Sequence, residues 1–356
     1  MKKKVFKNII IGSGPSAIGG LLSLTTKNNA VITGFEFNKK NKSFSKIHKK
    51  ILYESNGKNN HISNIYSDEK RNLFSISNIG GFGNYWGQGC EYVPFNKINN
   101  KKIFVNNKIY LSFINKIYKF FYVKRKDDFK LKLSKLFFYP SPILENSPNF
   151  KKSKLKSFKN AFNYLSKKNS FRVFNNSVEK LDEENSLIKI KLNDKSYIYG
   201  EKVFLAANTL GNASILFNSD KNIKKMSFLD DCPNIFYTYS LNNKLNNYIS
   251  DFYSIISANY KSNFISAISL KNVDLSFFTY FLFKIKISFL KNKNFKILNN
   301  FIFFQLWNKK TIHKGYLYRN KTFKHIRPQF NSINFEKLLK KNNILTLKNN
   351  RTNFGE

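Results

Sequence analysis

The chain opens on charge and turns apolar at once. Lys2, Lys3 and Lys4 precede Val5-Phe6, and three isoleucines, Ile9 to Ile11, run straight into Gly12-Ser13-Gly14-Pro15-Ser16-Ala17. An apolar run that ends in a glycine-rich turn reads as a strand followed by a helix start. A second apolar run, Ala30 to Phe35, ends in Glu36, so residues 5 to 36 are expected to form a βαβ unit. The same opening begins like a secretory signal peptide, but Lys7, Asn8, Ser13 and Pro15 interrupt it and no Ala-x-Ala site follows.

Beyond this unit the pattern changes several times. Residues 37 to 70 are polar, lysine-rich and poorly periodic, as in a long excursion. From 99 to 170 Lys, Phe and Tyr dominate, with helical patches at Ile114 to Val123 and Lys159 to Ser166. From 171 the strand signal returns. Phe171 to Phe174 is a short strand and Val178 to Leu181 starts another. Ile188 to Leu192 alternates strictly, Asn193 to Ser196 supplies a turn, and Tyr197 to Tyr199 runs back, which predicts a hairpin. A further buried strand, a small-residue turn and a helix are expected between Lys202 and Leu216. The last residues, Asn342 to Glu356, are polar.

Composition bounds the class. The 356 residues are 42% hydrophobic, enough for a substantial core and against global disorder. The formal charge is +41, from 62 Lys+Arg against 21 Asp+Glu, a balance that ordinarily suggests nucleic acid or anionic membrane. Only six of those cations are arginine, and the lysines are spread along the whole chain. Base readers lean on bidentate Arg, so no specific nucleic-acid partner is expected. The abundance of Lys, Asn, Ile, Phe and Tyr fits A/T-rich codons and accounts for the charge without a partner. Lys124 to Phe138 interleaves aromatics with lysines, which fits a solvated amphipathic element or a single-strand groove. Phe277 to Leu290 is too short to span a bilayer and reads as a buried element or one lying weakly on an anionic membrane surface. Cys90 and Cys232 form no disulfide framework and suit reduced thiols in a cytoplasmic protein. His48, His61, His313 and His325 have no ligand spacing, so no metal is expected.

The candidate chemistry lies in glycines. In a first βα turn, Gly12 permits the tight bend, Gly14 lets backbone approach a pyrophosphate, and Ala17 gives helix–strand closeness. The anion would sit on the helix N-terminus, and Glu36 stands where a carboxylate can hold a ribose hydroxyl. An ordinary βα turn without ligand is the competing reading. Five glycines fall within residues 80 to 89, around Tyr85 and Trp86. This is either a surface loop or backbone pressed against a flat ligand.

Three stretches occur in a telling order: Gly-Ser-Gly-Pro-Ser-Ala at 12–17, Gly-Gly-x-Gly-Asn-Tyr-Trp-Gly at 80–87, and Val-Phe-Leu-Ala-Ala-Asn-Thr-Leu-Gly-Asn-Ala at 203–213. Together they resemble the glucose–methanol–choline (GMC) type of FAD-dependent oxidoreductase. The resemblance implies an α/β fold, an FAD-binding Rossmann-like domain with an inserted α+β, largely antiparallel-sheet substrate domain. Residues 1–98 and 171–235 would bind FAD, 99–170 and 236–335 would form the substrate domain, and 336–356 would be a polar tail. By resemblance Gly12, Ser13, Gly14, Pro15, Ser16 and Ala17 cradle the pyrophosphate and Glu36 binds the adenosine ribose. Gly80, Gly81, Gly83, Asn84 and Trp86 match the loop beside pyrophosphate and flavin, Val178 a backbone contact to adenine, and Ala206 and Ala207 the strand end over the cofactor. The implied activity is oxidation of an alcohol or sugar-like CH–OH donor. Asn208 departs from the pattern, standing where Gly is usual, and so does Gly83, where Ser or Thr is common. The family's C-terminal histidine signature has no counterpart. The alternative expectation is therefore a catalytically incomplete flavin-binding protein that needs a partner segment.

Overall fold

The structure is a computed structural model. It describes residues 4–34, 66–67, 79–81, 107–121, 131–140, 158–168, 171–231, 234–252, 256–260, 263–269, 300–307, 312–319, 322–326 and 333–351. The fold is mixed α/β, with one sheet that is parallel and antiparallel in parts, a four-stranded sheet, and a seven-stranded antiparallel sheet.

The strands in chain order begin with β1 (Val5–Ile11), β2 (Asn29–Thr33), β3 (Tyr66–Ser67), β4 (Leu131–Leu133) and β5 (Leu136–Pro140). Then come β6 (Phe171–Asn175), β7 (Val178–Glu184), β8 (Leu187–Leu192), β9 (Tyr197–Leu205), β10 (Lys225–Asp231) and β11 (Asn234–Ser240). The series ends with β12 (Ile256–Tyr260), β13 (Asn263–Ser269), β14 (Phe301–Trp307), β15 (Ile312–Tyr318), β16 (Thr322–Ile326) and β17 (Ile344–Arg351). The helices are α1 (Pro15–Ser23), α2 (Asn107–Phe121), α3 (Phe158–Lys168), α4 (Asn208–Ser219), α5 (Asn243–Phe252) and α6 (Ile333–Lys341).

The chain divides into two compact units. The first comprises Met1–Trp86, Lys154–Phe228 and Gly315–His325. Its main sheet has the order β6-β2-β1-β9-β8-β7. β6, β2, β1 and β9 run parallel, and β8 and β7 complete it as an antiparallel ribbon. The βαβ start is present as β1-α1-β2. Ile9, Ile11, Ala30 and Ile32 are fully or nearly buried among Ile190 and Leu192 of the ribbon and Ile198 of β9. Such burial accounts for apolar runs in β1 and β2 in place of alternation. α1 lies close on β1 through small residues: Ala17 is fully buried, and a Cβ on Gly20 would meet Ile10 Cδ1 at 3.2 Å. α3 packs beside α1 with Phe158, Ala161, Phe162 and Leu165 buried, the i, i+3, i+4, i+7 stripe of an amphipathic helix.

One expectation changes here. The hairpin return at Tyr197 and the strand ending at Leu205 are a single nine-residue strand, β9. It pairs antiparallel with β8 through Tyr197–Gly200 and parallel with β1 through Tyr199–Leu205. Gly200 stands where both pairings overlap, and a Cβ there would press on Ile9 Cδ1 at 2.8 Å. Nor is the strand buried throughout: Phe204 is 47% exposed.

This unit also holds β3 and most residues of β10, β15 and β16, which form the sheet β10-β15-β16-β3. Leu210, Ala213 and Phe217 of α4 pack with Leu317, Met226 and Phe228. A Cβ at Gly315 would overlap the Phe228 ring, so glycine is required where that ring crosses β15.

The second unit comprises Gly87–Ser153, Leu229–Lys314 and Ile326–Glu356. Its antiparallel sheet has the order β17-β11-β14-β13-β12-β5-β4. α5 and α6 contribute Leu245, Phe335, Leu338 and Leu339 to a core shared with Phe138, Phe236, Ile265 and Phe304. Burial pushes the Tyr237 phenol up to about 12. Tyr248 donates to Phe138 O at 3.3 Å and is likewise raised by burial.

Two further expectations are corrected in this unit. The stretch 336–356 is not a polar tail: most of α6 and all of β17 fall in it, and β17 pairs with β11 from Ser240↔Ile344 to Asn234↔Arg351. Its lysines and asparagines conceal a short apolar period, Phe335, Leu338, Leu339 and Ile344, all buried. The end of the Lys124 to Phe138 segment is a hairpin, β4-β5, that buries Leu133, Leu136 and Phe138. α2 begins ahead of the expected Ile114 and leaves Ile109, Leu111 and Phe113 exposed. Among the described residues no helix is long and apolar enough to cross a membrane. Phe277 to Leu290 lies outside them.

Candidate functional site

The carboxyl ends of β1, β2, β6 and β9 lie side by side, held by ladder hydrogen bonds that continue past the strands. Gly12 N–H donates to Ile32 O at 2.8 Å, Ala206 N–H to Ile11 O at 2.8 Å, and Asn176 N–H to Thr33 O at 3.0 Å. In an open parallel sheet this edge is where ligands bind. It gathers the turn from Gly12 to Ala17, the opening of β7 at Val178, and Ala206-Ala207.

The two glycines of the first turn serve different ends. Gly12 has φ +123°, and a Cβ there would overlap the Ala206 carbonyl. Its glycine is dictated by the protein's own backbone. Gly14 is extended (φ −76°, ψ −169°), and among the described residues a Cβ would meet only Gly80 O at 3.9 Å. Nothing among the described residues requires glycine at this point, so with respect to them the missing side chain leaves free space in front of α1.

That space faces an open helix end. Gly14 is the N-cap of α1 and supplies no side-chain cap, Pro15 follows it, and the first turn holds no acidic residue. Pro15 and Ser16 are exposed. The first-turn N–H groups have no intrahelical partner, and the helix dipole adds a partial positive charge.

The end of α4 is different. Asn208 has φ +59°, and its Oδ1 accepts from Leu210 N–H at 2.9 Å and Gly211 N–H at 3.0 Å. Ala207 N–H donates to Asn212 Oδ1 at 2.9 Å. Asn208 thus tolerates the left-handed conformation and caps the helix as well. Two neighbouring helix starts on one sheet edge are therefore unlike: α4 is capped by the Asn208 side chain, whereas the N-cap of α1, Gly14, makes no side-chain cap.

The glycine segment comes to the same place. The turn at 79–81 has φ +87° at Gly80 and φ +54° at Gly81, and a Cβ on Gly81 would stand 3.9 Å from Gly14 Cα. Gly80 N–H donates to Ser13 Oγ at 3.1 Å, and Thr33 Oγ1 donates to the same oxygen at 2.6 Å. Both side chains are buried. Thr33 escaped sequence reasoning. The signal for it is a hydroxyl closing the apolar run Ala30-Val31-Ile32 at a strand's carboxyl end.

Glu36, Gly83, Asn84 and Trp86 lie outside the described residues, as do Cys90 and Cys232. His313 lies in β15 and His325 in β16, but their side chains are not among the described ones. Among the described residues there is no cluster of three or more His, Cys, Asp or Glu side chains that could hold a metal ion.

No protein-family model matches the chain, and no curated protein matches it. Solved structures with a similar backbone path include NikD in its open form, described as an unusual amino acid oxidase essential for nikkomycin biosynthesis. Identity is 10%, the TM-score 0.27, and the match covers 67% of this chain and 59% of that one. A point mutant of the same protein gives 11% identity, a TM-score of 0.29 and the same coverage. The tetracycline destructase Tet(51) gives 11% and 0.26, covering 89% of this chain and 72% of the other. The chain spans less than two thirds of NikD, and superpositions this loose say nothing of what it binds or does.

Proposed function

We propose that this chain is an FAD-dependent oxidoreductase of the GMC type, acting on the CH–OH group of an alcohol or sugar-like donor. The observation that carries the reading is the free space at Gly14, set before an uncapped helix N-terminus on the ligand-binding edge of the sheet. A dinucleotide's pyrophosphate matches that seat in charge and in need of N–H donors. The order of the three glycine and small-residue motifs supports FAD over a nicotinamide, since a simple nicotinamide domain has no use for the segment at 80–89.

In this reading the N–H groups at the start of α1 hold the pyrophosphate, and Gly80-Gly81 and Ala206-Ala207 supply backbone walls. Val178 opens β7 at the same edge, as an adenine contact requires. When bound, FAD supplies a hydride acceptor. No residue is assigned the role of base. General-base catalysis typically contributes a factor of about 10²–10⁴, so its presence or absence is measurable in turnover.

An absorbance scan of the purified full chain tests the cofactor. Flavin bands that Gly14→Val abolishes are expected; absence of flavin with tight NADH binding overturns the reading. Bleaching of the bands by an alcohol under anaerobic conditions then separates an enzyme from a protein that only holds the cofactor.

A further inference from the structure

We infer that Ser13 and Thr33 are positioning residues that dock the 79–81 turn on the α1 end, making the anion seat a two-piece cradle closed by a side-chain relay. Gly80 is buried, and a buried N–H must find an acceptor. It finds Ser13 Oγ, 67 residues away in sequence, at 3.1 Å. That oxygen is itself held by the Thr33 hydroxyl at 2.6 Å, and Thr33 ends β2, whose neighbouring carbonyl, Ile32 O, accepts from Gly12 N–H at 2.8 Å. The relay thus runs from a strand fixed in the sheet, through one hydroxyl, to a distant turn.

Its geometry gives it a task beyond stability. Gly80 and Gly81 adopt left-handed backbone beside Gly14, so a turn that drifts alters the wall of the space where the anion would sit. Without Ser13 Oγ the Gly80 N–H loses its acceptor. Without the Thr33 hydroxyl Ser13 is free to rotate away. A Thr33→Val change keeps the shape and removes only the hydroxyl.

The consequence for binding rests on the dinucleotide reading; the docking of the turn does not, and the two are read separately. The full chain and its Ser13→Ala, Thr33→Val and Thr33→Ser variants are compared by hydrogen exchange and by FAD titration. Exchange across Ile79–Gly81 should quicken at least tenfold in Ser13→Ala and Thr33→Val, with the β1 and β2 amides unchanged. The Kd for FAD should rise at least tenfold in the same two variants, and Thr33→Ser should restore both. Unchanged exchange, or a Thr33→Ser that behaves like Thr33→Val, overturns the relay. Faster exchange with unchanged affinity overturns its role in shaping the seat. Should the parent chain bind no FAD while the exchange pattern holds, the docking stands and the dinucleotide reading falls.

Discussion

Gly12 and Gly14, two residues apart, differ in what would follow from adding a methyl group. Gly12→Ala must force an L residue into φ +123° and against the Ala206 carbonyl. It should cost about 2 kcal/mol or more of stability, read by urea denaturation. Gly14→Ala meets no such obstacle and should stay within about 1 kcal/mol of the parent, while FAD affinity falls more than tenfold. Asn208 gives a second comparison at this scale. Asn208→Gly keeps the left-handed backbone and loses only the cap, whereas Asn208→Val loses both. The valine variant should be the less stable by about 1–3 kcal/mol, again by denaturation midpoint. The first turn was legible in the sequence because glycines at fixed spacing have few other uses. Thr33 and Asn212 were not, because a hydroxyl or amide acquires its role only from a partner that the fold brings to it.

At the scale of elements, strands that are buried on both sides announced themselves, as in Ile9 to Ile11 and Ala30 to Ile32. The hairpin 188–199 did so by alternation. β9 was divided in two because its pairing changes partner midway, which leaves no mark in hydrophobic period. α6 and the start of β17 were hidden by lysines and asparagines such as Asn334, Lys337, Lys340, Lys341 and Asn343, all exposed. β17 also forms an edge of its sheet, with Leu345 and Leu347 exposed at 44% and 53%. An exposed apolar edge strand is a template for pairing with a second copy. Leu347→Lys should lower concentration-dependent association in sedimentation while Tm stays unchanged, since a surface change of this kind is worth within about 0.5 kcal/mol. Association that persists in the variant would locate the sticky surface elsewhere, with the exposed Ile109, Leu111 and Phe113 of α2 next to be tested.

For the whole molecule, charge sets behaviour more than fold does. With a net +41, the chain should bind heparin and mixed-sequence DNA at low salt and release both as salt rises. Retention on a heparin column and competition between unrelated DNA sequences read this directly. Discrimination between sequences should stay far below the roughly thousandfold that marks specific recognition, because dispersed lysines reach phosphates and not base edges. The same bias explains what was legible at this scale. Gly12, Gly20 and Gly200 stand out against a background of Lys, Asn and Ile because they sit at close approaches that a side chain would fill. Loop boundaries and the C-terminal elements were blurred by it.

The parallel pairing of β1 with β9 has a consequence for how the protein comes to exist. Ile9 is the register partner of Ala30 on one side and of Val203 on the other, so β1 gains β2 early but must wait for roughly 190 further residues before its second neighbour exists. At about 5–20 residues per second, that is on the order of 10–40 s on the ribosome with one edge of β1 unpaired. β11 likewise needs β17, which ends at Arg351. Both sheets thus depend on pairings between strands far apart in the chain, so folding should be slow and governed by contacts distant in sequence. Refolding from urea on the scale of seconds or longer, with yield falling as protein concentration rises, is the expected signature. Co-expression with a chaperone that shelters nascent apolar segments should raise soluble yield more than lowering the temperature does.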